Sequence, residues 1–250
     1  MHLSRSSDAF VKPRLRSVCF ALDSGVPFPA LCAVPKWLKF ILGLLLLPLC
    51  AGALPALAKV VRASGGATEV WVPLGAGAAC WLVVFALLPK PMWIYVVGHE
   101  LTHVVWSWLF GGKVKKFKAT SQGGEVVVTK SNFLVALAPY FFPLYAVLVV
   151  LVFLAGHLLW GWARWTPFFH LLLGAAYAFH VTLTWEILKT RQSDITGQGY
   201  LFSGVVIFLG NVLVLLLGIP LLTGQGRLLT VLGWWLEATG ALLGRLSTML

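Results

Sequence analysis

Charge is scarce in this 250-residue chain, and negative charge scarcest: 8 Asp and Glu stand against 19 Lys and Arg, and charged residues make up only 11 % of the total. With 59 % hydrophobic residues and a mean hydropathy of +0.89, that shortage excludes an ordinary soluble domain, in which roughly a quarter of the residues are charged. Cysteine is sparse as well. Cys19, Cys32, Cys50 and Cys80 lie in apolar surroundings without a CxxC pair, which excludes a zinc knuckle and a disulfide framework and leaves them as small apolar side chains. No internal repeat or low-complexity tract is present. The first residues also lack the order of charge, apolar core and small-residue cleavage site that makes a signal peptide. The net charge of +11 does not indicate a nucleic-acid partner, because the basic residues sit in short clusters between apolar runs, where topology signals and lipid headgroup contacts belong.

What the chain has in abundance is long apolar runs. They fall at roughly 37 to 60, 70 to 89, 91 to 110, 133 to 158, 166 to 189, 201 to 222 and 228 to 248, each about the twenty residues that a hydrocarbon core requires. The expected fold is an all-α polytopic membrane protein with six to seven transmembrane helices, forming one embedded unit over residues 37–250. Residues 1–36 form a basic N-terminal segment suited to the membrane interface. One stretch breaks the helical pattern: in "GGKVKKFKATSQGGEVVVTKSN" two β-prone runs flank the turn-forming "TSQGG", which predicts a small β-hairpin directly after the third helix. Bare strand edges cannot face lipid, so the hairpin belongs at the membrane surface or in a protein-lined cavity. A cytoplasmic hairpin puts Lys59, Arg62, Lys113, Lys115, Lys116, Lys118, Lys130, Lys189, Arg191 and Arg245 inside, against Lys90, Arg164 and Arg227 outside, and the positive-inside rule prefers that orientation. The basic residues before position 40 conflict with it unless residues near 17 to 34 cross or dip into the membrane.

Inside the third apolar run stands "VVGHELTHVVWSWLFGG". The HExxH spacing turns His99 and His103 about 400° apart, so both imidazoles leave one helix face a turn apart and can grip one ion. Glu100 points about 100° away, within reach of a water on that ion without being a ligand. Such a donor set suits zinc with a third protein ligand and an open position for water. At this chain's His and Glu content a chance match is expected in only about 0.3 % of chains. The alternative is a set of interior polar groups that tie helices together. A glutamate at mid-membrane costs at least roughly 2.5 to 3.5 kcal/mol on insertion scales, which weighs against that alternative.

At these residues the chain resembles the site-2 protease family of zinc intramembrane metalloproteases. "GHELTH", the hairpin at 113 to 130 and "NFLVALAPYFFPLY" follow one another in the family's order, so the resemblance covers roughly residues 91 to 212. It implies a metalloprotease-like unit over 37–250, zinc held by His99 and His103, Glu100 as catalytic base, and a distal aspartate as third ligand. The chain departs from the family pattern twice. It has Ala138 and Pro139 followed by Tyr140 where the family shows Gly-Pro and then Asn, and "QSDITGQGY" carries Asp194 without the glycine that usually follows.

Three residues compete for the position of third ligand, Asp194, His180 and Glu186. Asp194 lies in a polar break before an apolar helix, where a carboxylate can face a site or simply cap a helix. His180, with His170, Tyr177 and Thr184, makes a polar stripe on one helix and fits a second-shell or transition-state role as well. Glu186 is accounted for by an ion pair with Lys189, and His157 and His170 are expected near helix ends at the interface. The function expected from all this is a zinc endopeptidase that cleaves a peptide bond within or near a transmembrane segment of a membrane protein substrate. The localisation expected is multi-pass in a membrane, the cell membrane if the source is bacterial. Two other classes compete. A non-catalytic membrane scaffold that retains the fold has no need of the intact Glu100, and a transporter would show two related halves, of which the sequence carries no sign.

Overall fold

A computed structural model describes residues 19–20 and 34–249 of the chain. Most of the basic segment 1–36, and the question of whether residues near 17 to 34 enter the membrane, lie outside the described residues. Helices form in all seven expected places. They are α1 (Lys36–Ala63), α2 (Thr68–Leu87), α3 (Met92–Leu109), α4 (Phe133–Leu137), α5 (Leu144–Trp160), α6 (Thr166–Leu188), α7 (Ser193–Gln198), α8 (Tyr200–Thr223) and α9 (Leu228–Ser247). The expected single helix over 133 to 158 is α4, a 3-10 turn at Ala138–Tyr140, and α5. The two arms meet at a bend of 82°. Pro139 and Pro143 flank the break, and each removes a backbone donor that a continuous helix would need.

Among the described residues, length and apolarity qualify four helices to cross a bilayer, namely α1, α2, α6 with the 3-10 turn that leads into it, and α8, or five spans if the bent α4–α5 pair counts as one. Helices α3 and α9 reach 18 and 20 residues but are not apolar enough to stand among them. For α3 the reason is the polar cluster it carries, because His99, Glu100, Thr102, His103 and Ser107 are all buried. A helix that faces protein with such groups gives up the hydropathy of a lipid-facing span.

Two packing units position the site. Helix α1 lies against α8 and α9 through Ala53, Ala56, Val60, Val212, Leu216, Ile219 and Val231. Helix α2 lies against α6, where a Cβ on Gly77 would overlap the Leu171 carbonyl and one on Gly174 the Leu74 carbonyl. Small residues at such crossings let backbones approach, which is how helices associate when lipid supplies no hydrophobic drive. A second apolar core encloses the polar cluster, formed by Met92, Tyr95 and Val96 of α3 with Leu137, Ala138, Tyr140, Phe141, Leu183 and Ile187.

The expected hairpin is present as antiparallel β2 (Val114–Thr120) and β3 (Gly123–Val128). A third strand, β1 (Cys19–Phe20), runs parallel to β3 with Cys19 opposite Val127 and Phe20 opposite Val128, giving the order β1-β3-β2. Along β3 the residues alternate, with Gly124, Val126 and Val128 buried. Val126 and Val128 pack on Val104 and Leu101 of α3, so the hairpin is clamped to the helix that carries HExxH. Lys115, Lys116 and Lys118 of β2 are exposed, as an edge at an aqueous surface requires.

Candidate metal centre

The helix α3 delivers His99 and His103 from successive turns into the interior, 3 % and 1 % exposed. Their rings meet edge to face with centroids 5.0 Å apart. His103 is oriented by a contact that no spacing rule shows: its Nδ1 lies 2.7 Å from the Val135 carbonyl oxygen. A carbonyl only accepts, so Nδ1 carries the hydrogen and Nε2 keeps its lone pair for a ligand role. The carbonyl is in turn held in place. Ser107 Oγ donates to the Lys130 carbonyl at 2.9 Å, and Asn132 caps α4 by accepting from the Val135 N–H at 2.9 Å.

Asp194 comes from the far side of the chain. It sits in the first turn of the short helix α7, 4 % exposed, with its side chain turned inward. The cap position belongs to Gln192, whose side chain makes no capping bond. Asp194 Oδ2 lies 3.6 Å from His99 Nε2 and 3.6 Å from His103 Nε2 and accepts from the Tyr140 hydroxyl at 3.1 Å. Burial alone would raise its carboxyl, but the imidazoles of His103 and His99 overrule that effect and hold it below the usual carboxylate range.

The donor atoms of His99, His103 and Asp194 lie within 4.8 Å of one another, and this buried group could hold a metal ion. Among the described residues it is Asp194, rather than His180, that shares ligand distance with the HExxH pair. Among the described residues, His99 Nδ1 and Nε2 and Asp194 Oδ1 have no hydrogen-bond partner. Buried polar atoms are nearly always satisfied, so such a convergence marks donors built for something besides protein.

Glu100 stands beside this group, 1 % exposed, and neither carboxyl oxygen has a hydrogen-bond partner among the described residues. Its neighbour is unexpected. Gly123 and Gly124, which the sequence places in the hairpin turn, are residues of β3, and the turn is only Ser121 and Gln122. A Cβ on Gly124 would overlap the Glu100 carboxyl, so the strand approaches the acid through the one residue type that leaves room for it.

His180 is 6 % exposed on α6, and its Nε2 is buried without a partner. It shares with His99, Gly98, Thr102 and Tyr145 the lining of a small cavity of about 20 Å³, room for about one water molecule. The other candidates have local explanations. Glu186 pairs with Lys189 at 2.7 Å, as expected, and also with Lys90 at 3.0 Å. His157 is exposed in the last turn of α5. His170 departs from the interfacial role expected for it. It is buried, with Nδ1 3.2 Å from the Glu69 carbonyl of α2, because the close α2–α6 contact covers it.

Comparison of the chain with family models, with curated proteins and with solved structures gives no match. The likeness to site-2 proteases therefore rests on the residues themselves.

Proposed function

We propose that the chain is a zinc-dependent intramembrane endopeptidase that hydrolyses a peptide bond within or near a transmembrane segment of another membrane protein. The observation that carries this reading is the placement of Glu100: a buried carboxyl group without a hydrogen-bond partner among the described residues, next in sequence to His99 of a two-histidine, one-aspartate donor set. A site that only stores a metal or ties helices together needs no such acid. Donors bound to zinc at about 2.0 to 2.2 Å in tetrahedral array stand about 3.4 Å apart, and the separations of 3.6 Å from Asp194 Oδ2 to each histidine Nε2 are close to that.

In this reading His99 Nε2, His103 Nε2 and an Asp194 oxygen hold zinc, which supplies a water acidified toward neutrality and charge for the oxyanion that develops on the substrate carbonyl. The chain's own residues do the rest. Glu100 takes the proton of the attacking water on a carboxyl oxygen and passes it to the leaving amine. Val135 and Tyr140 keep His103 and Asp194 in register. Water is kept scarce by the apolar core around Tyr95, Leu137 and Leu183.

A peptide bond in a helix is shielded, so the substrate must be extended when it is cut. The sheet offers a place to hold it. Strand β1 pairs with β3 at Val127 and Val128, and the edge of β3 beside Gly124 and Glu100 is the part that an added substrate strand would use.

Glu100→Gln keeps the size and hydrogen bonding of the acid but cannot accept a proton. The variant is expected to insert and bind zinc as the wild type does, while cleavage of a co-expressed single-span substrate falls by roughly 100-fold to 10,000-fold. Zinc is measured on the purified proteins and cleavage by gel and mass spectrometry, in a membrane free of other such proteases. Equal cleavage by both forms would remove Glu100 as the base. Absence of cleavage of any co-expressed single-span substrate by the wild type would move the function to a scaffold.

A further inference from the structure

A groove of about 450 Å³ opens between α6 and α8, with Tyr177, Val181 and Trp185 on one wall, Ile207 and Asn211 on the other, and Tyr140 beneath. Its outer wall belongs to a candidate membrane span, and Val181 and Trp185 are 45 % and 64 % exposed, so what enters comes sideways from the bilayer. The volume is about that of one turn of polypeptide, a cylinder about 10 Å across and about 5.4 Å long.

His180 lines this groove and also the small cavity beside His99, and among the described residues no other lines both. Its Nε2 is buried and has no hydrogen-bond partner among the described residues. We infer that His180 is a substrate-contacting residue: the groove admits an unwound stretch of a membrane-spanning segment, and His180 Nε2 hydrogen-bonds one of its backbone peptide groups next to the metal centre. This assignment rests on the endopeptidase reading and names how its substrate is gripped.

The chemistry selects the occupant. A lipid acyl chain has no polar atom to offer Nε2. An intact transmembrane helix has none either, because its backbone groups are satisfied within the segment. An unwound segment brings free N–H and C=O groups, and in apolar surroundings these must find partners. Asn211 presents further polar surface in the groove, although its amide also donates to the Tyr140 and Ile207 carbonyls at 3.0 and 2.9 Å.

The test reads binding, in the Glu100→Gln protein reconstituted in phosphatidylcholine vesicles. The probe is a synthetic single-span peptide, rich in Leu and Ala, with a central Gly-Gly pair that eases unwinding. A photo-crosslinking p-benzoylphenylalanine replaces Val181 or Trp185 in the groove, or Leu229 on α9 as a distant exposed control. Peptide crosslinks are expected from the two groove positions and not from Leu229. His180→Ala should weaken peptide binding by about tenfold, His180→Gln should restore most of it through its amide, and the zinc content of all forms should be equal.

Crosslinking and affinity unchanged in His180→Ala would overturn the assignment. So would labelling at Leu229 as strong as in the groove, lipid adducts at Val181 that the peptide does not displace, or loss of zinc with His180. Because no step of the test requires hydrolysis, His180-dependent binding in the Glu100→Gln protein together with no cleavage of any single-span substrate by the wild type would sink the endopeptidase reading and leave the groove standing.

Discussion

At the scale of single residues the three donors are supported unequally. His103 is oriented by the Val135 carbonyl and Asp194 by the Tyr140 hydroxyl, whereas His99 has no hydrogen-bond partner at either nitrogen among the described residues. Loss of a ligand and loss of its support should therefore separate. Asp194→Ala and His103→Ala are expected to remove most bound zinc, Tyr140→Phe to lower zinc affinity by about 10-fold to 100-fold, and His180→Ala to leave zinc in place. Competition with a chromogenic chelator measures all four, and zinc lost only in the His180 variant would make His180 the third ligand. The same residues show what was legible in the sequence. His99, Glu100 and His103 can be read directly because helix geometry converts a local spacing into a shared face. Asp194 could be narrowed to one of two candidates, since its meeting with α3 depends on long-range packing. Tyr140 and Val135 could not be read at all: one is an aromatic in an aromatic run and the other contributes only a backbone carbonyl.

At the scale of elements the hairpin and α4 matter most. The sequence predicted strands of the right type on the right side of α3, but it put Gly123 and Gly124 in the turn, because Gly-Gly after Ser-Gln is ordinary turn chemistry. The strand claims them because β3 must pass against Glu100. Gly124→Ala should accordingly leave zinc binding intact and cut cleavage by about 100-fold, the scale of a displacement of about 1 Å at a reacting group. A Gly124→Ala protein as active as wild type would show that β3 can yield. In α4 the Asn132 cap secures the helix whose Val135 carbonyl holds His103. Asn132→Ala is expected to cost about 0.5 to 2 kcal/mol of stability and to weaken zinc binding in the same variant, a coupling that denaturation and metal titration would reveal together. The bend between α4 and α5 was missed for a related reason. Two prolines in an apolar run are tolerated in membrane helices, and the hydropathy does not reveal which ones break.

For the whole molecule, the donor set joins elements that lie far apart along the chain. His99 and His103 ride on α3 with the hairpin, while Asp194 lies on α7, at the foot of α8, which packs against α1. A metal bound there would clamp α3 to α7, and because the three donors meet only in the folded protein, its binding free energy adds to folding stability. With free zinc at about 1,000 times the dissociation constant that contribution is about 4 kcal/mol. The expected result is a clear fall in the Tm of the detergent-solubilised protein on treatment with a chelator, reversed by zinc. Asp194→Ala should melt near the chelated wild type and respond to neither reagent. The sign with pH follows from the ligands, because His99, His103 and Asp194 must all be deprotonated to bind, so the zinc-dependent part of the Tm should shrink as pH is lowered and return when it is raised. Glu100→Gln supplies the control, since an acid that is not a ligand should leave the entire zinc-dependent shift in place. If the Tm is the same with and without chelator at neutral pH in protein shown to contain zinc, the ion is bound somewhere other than between α3 and α7.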